Sequence, residues 1–144
     1  YQAAVCLTHV LMDNDDAGRT AIQKAESDRI IKVSEYHFTI CNGMPNAEFE
    51  DCLDVGIYKK EIEEEFGIDL TKKIFRNNKK WSDRMRATFL SQGKPWNDQI
   101  EQQVKYIVAS SVKSNPGKSL NVHKRSSIDA LILSIETKLK KTST

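Results

Sequence analysis

The sequence predicts an α/β domain: a small parallel sheet flanked by helices, followed by a helical second half. Three observations predict it. An apolar, β-branched run, AVCLTHVLM over Ala4 to Met12, stops abruptly at a group of aspartates. A second strand-like run ends in YHFTI, Tyr36 to Ile40, and is broken by Asn42-Gly43. From Ile57 onward the apolar residues recur at helical rather than strand spacing.

The elements follow in order. Ala4 to Met12 lacks the polar alternation of a half-exposed strand and reads as a buried one. Asp15 or Asp16 then caps a helix running to about Ser27, with Ala17, Ala21, Ile22 and Ala25 on its apolar side. Ile30 to Ile40 holds the second strand, and Pro45 confirms the loop after it. The segment NAEFEDCLD is an acidic turn with Phe49 and Leu53 as anchors.

Ile57 to Phe66 is a helix stopped by Gly67. Lys79 to Leu90 forms another. Trp96 to Lys113 has apolar residues at 96, 100, 104, 107, 108 and 112, a clear helical period. Ser114 to Gly117 turns the chain. Ser127 to Lys140 is the last helix, with Ile128, Leu131, Ile132, Ile135 and Leu139 inward, and KLKKTST is a solvated tail. Two strands alone do not make a stable sheet, so further strands are expected, from this chain or from sequence outside it.

The totals bound the class. The 144 residues suffice for one domain with a real core. A formal charge of +2 neither demands nor excludes nucleic acid, so any basic surface must be local. No apolar run approaches the roughly 20 residues that span a bilayer, and no membrane association is expected. Cys6, Cys41 and Cys52 lack metal-ligand spacing and read as reduced, buried thiols of a cytoplasmic protein. His9, His37 and His123 form no pattern.

The run LMDNDDAGR, Leu11 to Arg19, carries the chemistry. An EF-hand loop counted from Asp13 fails, because Ala17 stands at its fifth position and Lys24 at its twelfth. A haloacid-dehalogenase loop, D-x-D-x-[TV], fails at Ala17 as well. A plain helix cap needs one aspartate, whereas crowded carboxylates repel unless a cation neutralises them. Beside the cap, which stays open, the other reading is a divalent-metal site at the carboxyl end of a parallel strand, where α/β sheets place their ligands. Asp13 and Asp15 would be its first ligands. Hard oxygen donors suit Mg²⁺ or Mn²⁺.

LMDNDDAGRTAIQKA resembles the second motif of the TOPRIM domain, a strand ending in D-x-D followed by a helix with small residues and Gly-Arg. The downstream chain is most similar to the OLD (overcoming lysogenization defect) branch of nucleases. NAEFEDCLD resembles the acidic segment after the next strand. KKWSDRMR and HKRSSIDALILSIETKL resemble the C-terminal helices and the lysine before the last one.

The resemblance implies a TOPRIM-like fold, with residues 1-70 a partial α/β core and 71-144 the helical remainder of the same domain. It implies a DNA endonuclease using one or two Mg²⁺ or Mn²⁺ ions. Asp13 and Asp15 would bind the first ion, with Glu48 and Asp51 in the acidic segment binding the second and Glu50 the alternative. Lys124 would be the active-site lysine, with Lys118 in NPGKS as runner-up. TOPRIM domains also carry an upstream glutamate that this chain, beginning at Tyr1, does not contain. The resemblance therefore implies a longer parent with an N-terminal ABC-type ATPase domain, homo-oligomeric, in bacterial anti-phage defence of the Gabija or retron type. A different class is an assembly or interaction domain that keeps the fold without the chemistry; primase-like nucleotidyl transfer is a third.

Residues 72 to 86 hold seven basic residues and one acid. This run could track a phosphate backbone, through Lys79, Lys80 and Arg84 together with Lys118, or be a solvated helix face anchored by Trp81.

Overall fold

The computed structural model describes residues 8–142. Among them stand five α-helices and one small sheet, so the chain is α/β and mostly helical. Strand β1, Val10–Met12, runs parallel to β2, Tyr36–Phe38, with Val10 opposite Tyr36 and Met12 opposite Phe38. Helix α1, Asp16–Ser27, is the crossover between them. Then follow α2, Lys59–Phe66; α3, Trp81–Ser91; α4, Asp98–Ser114; and α5, Ser126–Thr142.

The strands are shorter than the apolar runs that predict them. Residues 30–35, expected in the second strand, instead form a turn and a short 3₁₀ segment, Val33–Glu35, and Ile30 and Val33 are exposed. Cys6 and the start of the expected first strand lie outside the described residues. No further strand joins the sheet among the described residues.

The main core lies in the helical part and crosses the expected division at residue 70. Leu53, Tyr58, Ile62 and Ile68 meet Phe75, Trp81, Met85, Phe89, Val104 and Val108 in one buried cluster. Gly67 ends α2 in the left-handed region at φ 68°, where glycine avoids the Cβ penalty. The Trp81 indole donates to Tyr58 Oη at 3.2 Å, so neither buried polar atom is wasted. A smaller cluster, Cys41, Ala47, Cys52 and Ile128, joins the sheet side to α5. Both of these cysteines are free and buried.

Three packing expectations need correction. Ala17 and Ala21 are exposed, because α1 is covered only along Gly18 and Ile22. Phe49 is exposed while Leu53 alone anchors its turn. On α5, Ile132, Ile135 and Leu139 are exposed together with Leu133, which is 64% accessible. That helix packs against β2, and a two-stranded sheet is too narrow to cover its whole apolar stripe. The expected tail is helical as far as Thr142. Among the described residues no helix is long and apolar enough to cross a membrane.

Candidate functional site

Two loops meet at the carboxyl end of β1. Asn14 and Ala47 form an antiparallel bridge, with Asn14 N donating to Ala47 O at 2.8 Å and Ala47 N donating to Asn14 O at 3.1 Å. Arg19 fastens the junction by donating to Asn14 Oδ1 at 2.9 Å and Asn46 Oδ1 at 3.0 Å. The acidic segment is thereby laid beside the D-x-D loop.

Asp13 Oδ1 accepts the Phe49 N–H at 2.8 Å. Asp15 caps α1, its Oδ1 accepting the Gly18 N–H at 2.9 Å. Gly18 is required by close approach: a Cβ there would stand 2.1 Å from the Asp13 carbonyl oxygen. This contact sets α1 directly against the loop that carries both aspartates.

The two aspartates titrate in opposite directions. Burial raises the Asp13 pKa; the Phe49 N–H opposes this, and the nearby Glu48 and Asp15 charges add to it. Asp15 is lowered by the Gly18 N–H and then by Lys80. Lys80 Nζ lies 3.0 Å from Asp15 Oδ2 and 3.0 Å from Glu48 Oε1. Burial opposes the Lys80 charge, but these two carboxylates outweigh it and raise its pKa.

Glu48 is only 5% exposed, and its position has a clear cause. Its Oε2 accepts the Ser82 N–H at 2.7 Å and its Oε1 the Ser82 hydroxyl at 2.8 Å. Asp51 Oδ2 accepts the Trp81 N–H at 3.1 Å and the Glu48 N–H at 2.9 Å. The two carboxylates thus satisfy orphan donors in the first turn of α3 and complement its dipole. Asp51 is 2% exposed and is also ion-paired with Arg84, which lies within the protein over the Phe75 ring. Glu50 is less enclosed; burial raises its pKa, Lys105 opposes this, and the Glu48 and Asp13 charges add to it.

Asp13, Asp15, Glu48 and Lys80 are thus brought together, with Glu50 close enough to feel them. Asp51 and Arg84 form an internal pair behind the site. Lys79 and Lys118 are exposed, and Lys124 forms no ion pair with the carboxylates among the described residues. Lys80, expected on a nucleic-acid surface, is the lysine of this site. The capping of α3 by Glu48 spans 34 residues of sequence and leaves no local signal.

The donor set, oxygen ligands only, is of the kind that suits a hard divalent cation; burial first, and neighbouring carboxylates after it, raise the pKa of Asp13 and of Glu50. Among the described residues no three groups converge into a ready-made metal cage. The Lys80 ammonium stands between Asp15 and Glu48, where such an ion would balance the charge.

Comparison of the chain with protein-family models, with characterised proteins and with solved structures finds no match.

Proposed function

We propose that this chain is the C-terminal portion of a TOPRIM-like DNA nuclease resembling the OLD branch, hydrolysing phosphodiesters with Mg²⁺ or Mn²⁺. The observation that carries the reading is the meeting of Asp15 and Glu48 on the Lys80 ammonium at the carboxyl end of β1, with Asp13 near enough for both carboxylates to act on its charge. One or two divalent ions held there would polarise the phosphate and activate water. Asp13 and Asp15 hold the first ion, and Glu48 with Glu50 offers the second set of oxygens. Asp51 acts by fixing the Glu48 backbone and the start of α3. Lys80 keeps the carboxylates together and can turn to a phosphate oxygen when a divalent ion replaces it.

On this reading the parent protein is cytoplasmic and homo-oligomeric, carries an ABC-type ATPase domain before this segment, and serves in anti-phage defence. The test is nicking of supercoiled plasmid by the longest available parent protein in Mg²⁺, Mn²⁺ and EDTA, beside Asp13→Ala/Asp15→Ala. Metal-dependent nicking lost in the double variant supports the reading, and equal behaviour of the two proteins refutes it.

A second reading, an assembly domain without the chemistry, is favoured by one observation: the apolar stripe of α5 at Ile132, Leu133, Ile135 and Leu139 is exposed. It predicts assembly that is intact in the double variant and lost on placing Lys at Leu133.

A further inference from the structure

A cleft of about 580 Å³ lies between the start of α2, the 3₁₀ segment Lys73–Arg76 and the loop before α5. It is built by long-range pairing of backbone. Asp54 N donates to Ser119 O at 2.8 Å and Asn121 N to Cys52 O at 2.8 Å. These bonds carry the loop that ends in Lys124 to the side of the Val55–Ile57 turn.

The charge of the cleft is one-sided. Lys59, Arg76, Arg84 and Lys124 line it, against the single carboxylate of Asp54. One Asp54 oxygen already accepts the Gly56 N–H at 2.7 Å. Arg84 is balanced by Asp51, but among the described residues Lys59, Arg76 and Lys124 have no carboxylate partner. Like charges gathered in a concave site repel one another and lower the cost of bringing in an anion.

Arg84 forms the inner part of the cleft wall. Arg84 is 5% exposed, and its Nε is buried without a hydrogen-bond partner. That nitrogen is closed off, and the terminal nitrogens hold the Phe75 carbonyl and Asp51, so what Arg84 lends the cleft is the field of its charge. The remaining lining is suited to more than an inorganic ion. Val55, Leu70 and Phe75 give an apolar wall, and the amides of Asn77 and Asn78 stand beside it. The volume lies within the range of small-molecule sites, about 300–1,000 Å³.

We infer that this cleft binds the phosphomonoester of a nucleotide, with Lys59, Arg76 and Lys124 on the phosphate and the apolar wall against the base or sugar. The site is separate from the carboxylate cluster, and the inference does not depend on the nuclease reading. The phosphate can belong to a free nucleotide or to the 5′ end of a strand. Both present the same dianion to the same cations.

The experiment is calorimetric titration of the chain with AMP, with inorganic phosphate, and with one short oligonucleotide carrying either a 5′-phosphate or a 5′-hydroxyl. The expected result is saturable AMP binding, weakened about tenfold or more by Arg76→Ala/Lys124→Ala and separately by Lys59→Ala, but not by Lys113→Ala. Tighter binding of the 5′-phosphorylated strand than of its 5′-hydroxyl twin identifies a strand end. AMP binding with equal affinity for the two strands identifies a free nucleotide. Circular dichroism confirms folding, and Lys59→Ala tests the site independently of the double variant. No saturable binding of AMP or of the 5′-phosphorylated strand at millimolar concentration overturns the inference. So does binding that Arg76→Ala/Lys124→Ala and Lys59→Ala both leave unchanged.

Discussion

The Lys80 ammonium lies 3.0 Å from the carboxylate of Asp15, joining two residues 65 positions apart in sequence. The same nitrogen is 3.0 Å from Glu48. One cation therefore ties the loop after β1, the acidic segment and the start of α3 into a single electrostatic unit.

Removing that cation without replacing it leaves enclosed carboxylates uncompensated. Lys80→Met is expected to destabilise the fold by about 1–3 kcal/mol, the cost of stranding a hydrogen-bonded, partly buried charge. Millimolar Mn²⁺ should then raise the melting temperature of the variant more than that of the unaltered chain, because a metal can occupy the vacated position. Thermal melts with Mn²⁺ and with EDTA read both effects. An equal shift in the two proteins contradicts the assignment of Lys80 as a cation substitute.

The opposed titrations of Asp13 and Asp15 give a pH dependence with a definite sign. The Asp15 pKa is depressed. Its stabilisation is therefore present above the unfolded value of about 3.9 and is lost as pH falls through the lower folded value. The Asp13 pKa is raised, so its ionised form is the penalised one. That penalty is absent below about pH 3.9 and grows as pH rises through the folded value. Asp13→Asn keeps an acceptor for the Phe49 N–H and should stabilise the protein at pH 7 by up to about 1 kcal/mol, discounted for partial exposure. At pH 3 it should have no effect. Urea unfolding at the two pH values makes the comparison; a less stable Asp13→Asn at pH 7 contradicts it.

Gly18 sets the distance between α1 and the metal-ligand candidates. Gly18→Ala would place a methyl group 2.1 Å from the Asp13 carbonyl oxygen, so the loop must shift. The expected cost is about 1–3 kcal/mol, typical of forced overpacking, with loss of metal affinity in parallel. Denaturant unfolding and Mn²⁺ titration together test it. Unchanged stability shows that the approach is looser than described.

The Asp51–Arg84 pair is buried and should behave as a unit. Asp51→Ala alone leaves an unpaired guanidinium and is expected to cost about 3–5 kcal/mol. Asp51→Ala/Arg84→Met should recover part of that loss, which a double-mutant cycle with Asp51→Ala and Arg84→Met would reveal. Additive single effects would contradict the coupling.

Local signals were legible where one residue decides a local outcome. Gly67 ends α2 as its position requires, and the start of α1 was placed to within a residue, although the cap is Asp15 rather than the favoured Asp16. The helical period of Trp96 to Lys113 produced α4, with Val104 and Val108 buried as the spacing requires. Long-range pairing was not legible. Nothing beside Lys80 marks it as the partner of Asp15, and the Asp51–Arg84 pair joins an acidic turn to a basic run that reads equally well as a surface. The stripe of α5 misled for the opposite reason. Its period reports an apolar face, not how much of it is covered, and Ile132 and Leu139, expected inward, are exposed.

The central claim is that the carboxylates at the end of β1 take a divalent ion, and Mn²⁺ binding followed by electron paramagnetic resonance tests it most directly. The account predicts that the signal of free Mn²⁺ diminishes on adding the chain, and that Asp13→Asn/Asp15→Asn restores it. Binding that survives in the double variant, or an undiminished signal with the unaltered chain, would contradict the account.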